Sequence, residues 1–275
     1  MNSSTKPRRI QLVVAYDGTD FCGWAAQPDQ RTVQCTLIEA VRQISGEDCE
    51  IIGASRTDSG AHARGQSCHF DCKVNLPTER WARVLNRQLP PDIAVVRARE
   101  VPEHFHARFS ARWRTYRYRI ARDKDPLALR TAHWEPRELN LARMQQAAAH
   151  LVGEHDFRWY SEQCQDVENT VRKLAYLHVT RHADQTWIEI RGNAFVRGMM
   201  RRIAGGLLEV GLNRRPARDL AEMLHPRERE SHMPPVVLPA RGLTLLRVSY
   251  HRQFRDLRED GGLGKQKNSI QESDE

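Results

Sequence analysis

The chain has 275 residues, enough for about two domains and for buried cores without disulfide support. Hydrophobic residues make up 40% and charged residues 28%, which excludes a disordered polyampholyte. Net charge is +8, and the 43 basic residues are 37 Arg and 6 Lys, a bias toward the planar side chain that grips phosphate and stacks on bases. A GC-rich genome gives the same Arg excess, so placement has to decide its meaning. No run approaches the roughly 18 apolar residues of a membrane span. The start, MNSSTKPRRIQLVVAYDG, has no export-signal core, because Arg8-Arg9 runs straight into an alternating strand pattern. Cysteines stand at 22, 35, 49, 68, 72 and 164 with no C-x-x-C pair, which points to reduced thiols and a cytoplasmic protein. Cys68-His69 with Cys72 has no common zinc spacing and reads as buried strand cysteine.

In chain order, residues 9–16 predict a strand, closed by an Asp17-Gly18 turn. Val33, Leu37, Ile38, Val41 and Ile44 share one face of a helix over 32–45, with Thr32 as N-cap and Gly46 as stop. Cys49–Ala54 predicts a short strand. The polar stretch SRTDSGAHARG follows, then a strand over 66–70, a helix over 78–88 and a strand over 92–101. Residues 104–122 hold six Arg and no acid, and their middle, RWRTYRYRI, alternates. As a strand it puts Arg112, Arg114, Tyr116, Tyr118 and Ile120 on one face. A linker over 123–138 carries Asp125-Pro126 and Glu135-Pro136 turns. A helix over 140–152, strands near 172–181 and 186–191, helices near 195–211 and 216–224 and a strand over 243–250 complete the pattern. After about residue 255 it gives way to a polar stretch read as a disordered tail.

Three segments carry candidate chemistry. In GASRTDSGAHA, Arg56, Asp58 and His62 fall on a loop between two strands. Asp58 fits a turn through its side-chain hydrogen bonding. It also fits a nucleophilic or general acid–base carboxylate beside Arg56. The Arg/Tyr strand fits either a solvated cationic strand or a surface where bases stack on rings and phosphates meet guanidinium groups. In NAFVRGMMRRIAG, Arg197 and Arg201 stand four apart, so a helix would put them on one face above a Phe/Met core stripe. Gly198 would cost that helix about 1 kcal/mol relative to Ala.

RTDSGAHA, FHARFSA, YRYRI, HDF and NAFVRGMMRRIAG, in this order, with YDGTDFCGW before and PARGLTLLRVSY after, resemble the TruA family of tRNA pseudouridine synthases. The likeness runs from about residue 9 to residue 250. It implies an α+β chain: two α/β domains with mainly antiparallel sheets in a pseudouridine synthase-like fold, and an active-site cleft between them. On that basis residues 8–110 are an N-terminal domain with the RTD loop. Residues 111–255 are a C-terminal domain with the YRY strand and basic helix, and 256–275 are the tail. The resemblance further implies isomerisation of uridine at positions 38 to 40 of the tRNA anticodon stem-loop. Asp58 is then catalytic, Arg56 holds the flipped nucleotide and pairs with the carboxylate, Tyr116 lies against the uracil, and Leu245 lines the pocket. Arg108, Arg112, Arg114, Arg197, Arg201 and Arg202 are the expected RNA contacts. It also implies a homodimer with no metal and no organic cofactor.

The chemistry agrees with the residues. A stem uridine must leave the stack before its C1′–N1 bond can break. A carboxylate assists by attack at C1′, by elimination to a glycal or by addition to C6, and Tyr116 or Asp58 is available to take the C5 proton. The chain departs from the family pattern at Ala25-Ala26, where a Gln is usual, and at Ala61, where Val is usual. A catalytically idle tRNA-remodelling relative is the competing reading, and intact Asp58, Arg56 and Tyr116 argue against it. A hydrolase would need a metal cluster or a G-x-S-x-G elbow, which GASRTDSG is not.

Overall fold

The computed structural model describes residues 6–162, 169–225 and 233–251. Cys164, Arg227, Arg229 and the expected tail at 256–275 lie outside the described residues. Strands β1 (Arg8–Tyr16), β2 (Ile52–Gly53), β3 (His62–Cys72) and β4 (Ile93–Val101) come from the first part of the chain. Strands β5 (Ala111–Ala121), β6 (His133–Trp134), β7 (Gly153–Asp156), β8 (Val171–His182), β9 (Gln185–Gly192) and β10 (Leu243–Tyr250) follow. All ten join one sheet in the order β4-β1-β3-β10-β5-β9-β8-β7, with β2 beside β3 and β6 beside β5. The fold is α+β and mostly antiparallel. Among the described residues only β10 with β3 and β5 with β6 pair in parallel.

The strands of residues 8–110 and those of residues 111–250 fill separate halves of the sheet. The halves meet where Thr244 and Leu245 of β10 lie beside His62 and Ala63 of β3. Alternation explains the layering. Ile10, Leu12 and Val14 of β1 point to one face and are fully buried, together with Val33, Leu37 and Val41 of helix α1 (Val33–Ser45). Thr32 caps α1 by accepting from the Cys35 amide at 3.3 Å, and Gly46 closes it in the left-handed conformation. Helices α2 (Trp81–Gln88), α3 (Leu141–Ala149), α4 (Met199–Gly211) and α5 (Ala217–Glu222) supply further buried apolar side chains, Leu85, Met144, Ile203 and Leu220 among them.

Three expectations change. The strand expected over 49–54 is reduced to Ile52–Gly53, after which the Ala54 amide makes one last bond to the Ser67 carbonyl at 2.7 Å and the chain bends into the polar loop. The strand expected over 66–70 extends over His62–Cys72. The added start, residues 62–65, carries no run of large apolar side chains: His62 is buried and held by the Gly18 amide, Ala63 is small, Arg64 is exposed and Gly65 has no side chain. The basic helix does not run from 195. Gly198 sits at φ +73° as its N-cap, so α4 begins at Met199, and Arg197 and Arg201 do not share a helix face. Gly198 thus stops a chain segment rather than weakening a helix interior. A Cβ there would also meet the Glu162 side chain at 2.5 Å.

Candidate active site

The loop 54–61 links β2 to β3 at the point where β10 enters the sheet. Its shape is fixed from three sides. The Ala61 amide closes a turn onto the Asp58 carbonyl at 3.0 Å, with Gly60 at φ +81° inside that turn. The Thr57 carbonyl accepts from the Trp24 amide at 3.1 Å, and the buried Thr57 hydroxyl pairs with the Tyr16 hydroxyl at 2.8 Å. Gly18 lies so close that a Cβ would stand 1.9 Å from the Ala61 carbonyl oxygen, which explains glycine in YDG. His62 is buried and anchors the end of the loop. Its Nδ1 accepts from the Gly18 amide at 3.1 Å, and its Nε2 lies 2.9 Å and 3.0 Å from the Arg130 and Arg241 carbonyls. Burial holds its pKa below the ordinary histidine value, which fits that neutral tautomer.

Asp58 is partly exposed and faces α4. Its Oδ2 accepts from Arg201 Nη1 at 2.9 Å, while Arg201 Nε donates to the Leu238 carbonyl at 2.7 Å. Oδ1 takes no hydrogen bond among the described residues. The expected partner, Arg56, is exposed and makes neither an ion pair nor a hydrogen bond among the described residues. The pairing implied for Arg56 is therefore made by Arg201. The reason is topological: the loop turns Asp58 toward the start of α4, away from its near neighbour in sequence. Glu162 stands behind the pair, with carboxylate oxygens 3.6 Å from Arg201 Nη1 and 3.9 Å from Arg197 Nε.

Tyr116 and Leu245 stand on adjacent strands. They are directly opposite in the β5–β10 ladder, and Leu245 is fully buried. The Tyr116 hydroxyl lies 2.6 Å from Ser55 Oγ, in the same loop as Asp58, and its ring meets Phe195 edge-on at 5.0 Å. Burial raises its pKa, so Tyr116 is a neutral phenol at physiological pH and a hydrogen-bonding group rather than a ready phenolate.

The six expected RNA-contact arginines divide. Arg108, Arg112 and Arg197 are exposed. Arg114 is 7% exposed, and its guanidinium donates to the carbonyls of Ala111, Asn193, Ala54 and Arg108. It ties the start of β5 to the Asp58 loop and to the end of β9, so it is internal and not a surface contact. Its expected face is right, but that face points into the core. Arg201 is engaged with Asp58, and Arg202 donates to the Pro235 carbonyl at 3.3 Å. Ser55, Thr57, Glu162 and Phe195 were not singled out by sequence. Asp58 and Arg201 are 143 residues apart, and no local spacing announces such a pair.

The arrangement brings together a carboxylate with one oxygen free of hydrogen bonds among the described residues, its partner guanidinium and a buried, neutral phenol bonded to the same loop. The family model described as tRNA pseudouridine synthase matches residues 12–110 and 147–251. A tRNA pseudouridine synthase A from Brevibacillus brevis is 43% identical over 88% of this chain and 100% of its own length. The same-named protein of Halalkalibacterium halodurans is 41% identical over 82% of this chain and 86% of its own. A solved archaeal box H/ACA sRNP Nop10-Cbf5 complex covers 80% of this chain and 56% of its own at 9% identity, and its TM-score of 0.33 carries no argument. With the family model and the two curated relatives each spanning most of the sequence, the chain belongs to the tRNA pseudouridine synthase family, isomerases that convert uridine in tRNA to pseudouridine.

Proposed function

We propose that this enzyme isomerises uridine at positions 38, 39 and 40 of the tRNA anticodon stem-loop, with Asp58 as the catalytic carboxylate. The observation that carries the catalytic assignment is the Asp58–Arg201 pair at 2.9 Å, which orients Oδ2 and leaves Oδ1 without a hydrogen bond among the described residues, in the loop whose Ser55 meets the Tyr116 hydroxyl. The target uridine leaves its stack and lies along Leu245 and Tyr116. Its C1′–N1 bond breaks, the base turns, and C5 bonds to C1′. The C5 proton leaves and N1 gains one, so no atom is lost and no electron is transferred. Asp58 Oδ1 acts at C1′ or on the uracil ring, and Arg201 stabilises the carboxylate as charge shifts. The neutral Tyr116 hydroxyl and Ser55 Oγ form a polar pair for the base edge. Arg56, exposed on the same loop, is free to meet a phosphate of the flipped nucleotide.

Release of tritium from C5-labelled uridine in tRNA tests the assignment. Asp58→Ala and Asp58→Asn are expected to reduce release below detection while tRNA affinity stays within a few-fold. Turnover at the parent rate by either variant overturns the role of Asp58. Mapping pseudouridine in anticodon stem-loops with and without the gene tests the three positions. The homodimer and the cytoplasmic location belong to the same reading. Light scattering and cell fractionation test them.

A further inference from the structure

Phe109 lies in the turn that leads into β5, and its side chain is 76% exposed. A bare aromatic ring held out to water costs solvation unless something covers it. This one is also held rigidly. His106 Nδ1 accepts from the amides of both Arg108 and Phe109 at 3.2 Å. The Ser110 amide donates to the His106 carbonyl at 2.9 Å, and Ser110 Oγ accepts from the His106 amide at 3.0 Å. The Ala107 amide donates to the buried His69 at 3.1 Å, fixing the turn to β3. The His106 ring lies tilted against Phe109, with centroids 4.3 Å apart and planes 30° apart, and Arg108 carries its guanidinium over the same ring at 5.6 Å.

The turn also belongs to the site. One guanidinium nitrogen of Arg114 donates to the Arg108 carbonyl at 2.7 Å and to the Ala54 carbonyl at 3.3 Å. Ala54 opens the loop that carries Arg56 and Asp58. The turn and the catalytic loop are therefore braced against each other, with Phe109 on the outer rim.

We propose that Phe109, backed by His106 and flanked by Arg108, is a stacking platform for a second, unpaired base of the RNA substrate. It holds that base while the target uridine enters the Asp58 site. The proposal rests on the tRNA reading above and names a contact which that reading does not contain. The chemistry selects a nucleobase. Every base has a flat face to lay on a ring, Arg108 supplies charge for the adjoining phosphate, and the locked turn means little freedom is lost on binding. An anticodon loop offers unpaired bases close to the stem, where the target stands.

The test compares Phe109→Ala, Phe109→Leu and Phe109→Trp in the full-length enzyme, by binding to an anticodon stem-loop RNA and by tritium release from tRNA. Ala and Leu are expected to weaken binding roughly tenfold and to raise KM with kcat nearly unchanged, while Trp stays near the parent. Leu separates stacking from mere apolar contact. Equal affinity across all three overturns the platform, as does a Leu variant matching the parent. A change in molecular mass on Phe109→Ala, with RNA affinity unaltered, assigns the ring to protein contact and overturns it too. A parent enzyme that binds the RNA without isomerising it sinks the functional reading instead, and the three affinities then still decide the platform.

Discussion

Residues 104–122 bring Arg114 inside the protein, whereas residues 190–208 bring Arg201 to the reacting carboxylate. Both segments are free of acids and rich in Arg. In the first, β5 alternation buries Arg114 among backbone carbonyls. In the second, Gly198 ends the strand-to-helix turn and α4 starts one residue later, so Arg201 reaches Asp58 from the first turn of a helix. Charge in a sequence therefore says what a segment is able to bind, and the backbone period decides what it meets. Arg114 meets backbone dipoles with no ion-pair partner among the described residues, and burial pulls its pKa down from the ordinary arginine value. Arg201 meets an acid at a solvent-accessible edge.

The largest effect should come from removing the internal arginine. Arg114→Ala leaves the Asn193, Ala54 and Arg108 carbonyls without their donor and opens a cavity between three segments. A loss of about 3–5 kcal/mol is expected, read as a lower urea midpoint with little change in slope. If its stability stays within about 1 kcal/mol of the parent, Arg114 is not the brace described. Arg201→Ala should do the reverse. It is expected to cost within about 1 kcal/mol of stability, because both partners keep access to water. Tritium release should fall about 100-fold, the scale of one preorganised charge at a reacting group. A variant that loses stability and keeps its rate would exchange the roles of the two regions.

Much of this was legible in the sequence. The helix over 33–45 followed from Val33, Leu37 and Val41 at helical spacing between Thr32 and Gly46. The strand over 111–121 followed from its alternation, while the pairing of Tyr116 with Leu245 across β5 and β10 appears only in the structure. The start of β3 was hidden because residues 62–65 are His, Ala, Arg and Gly, with no alternation of large apolar side chains, and the buried His62 is held by distant backbone groups that a hydropathy pattern does not contain. The partner of Asp58 was misassigned to Arg56 for a related reason. Nearness along the chain is a poor guide in a loop, and the pair that forms depends on where α4 begins. Glycine was the readable clue: Gly198 marked a helix start, and a helix interior was the wrong context for it.

A smaller effect separates the two regions by pH. The turn of the first segment packs on His69, which is buried, accepts from the Ala107 amide, and has its pKa pushed down to about 4 by burial and by the Arg9 charge. Its unfolded value lies near 6.5, so between about 6.5 and 4 the unfolded chain binds a proton that the folded chain does not. Stability from this group is complete above about 6.5 and is lost as pH falls toward 4, on the order of 3 kcal/mol. His69→Gln should flatten that part of the pH–stability curve measured by urea unfolding. If the slope between 6.5 and 5 is unchanged in the variant, another group carries it.

The smallest expected effect gives the sharpest contrast, because it sets Arg114 against the residue two positions earlier on the same strand. Arg112 is exposed, with its guanidinium 5.9 Å from the Trp113 ring centroid. It stands near the strand's solvent end, where Arg108 is exposed as well. Arg112→Gln should leave the urea midpoint unmoved within about 0.5 kcal/mol. It should weaken tRNA binding uniformly and lower the slope of log affinity against log salt by about 1, the signature of one lost phosphate contact. Arg114→Gln should leave that slope alone and shift the midpoint. If Arg112→Gln changes neither binding nor slope, the RNA does not pass the Arg112 end of β5. The phosphate path then runs past Arg56 and Arg197, on the side where Asp58 and the start of α4 meet.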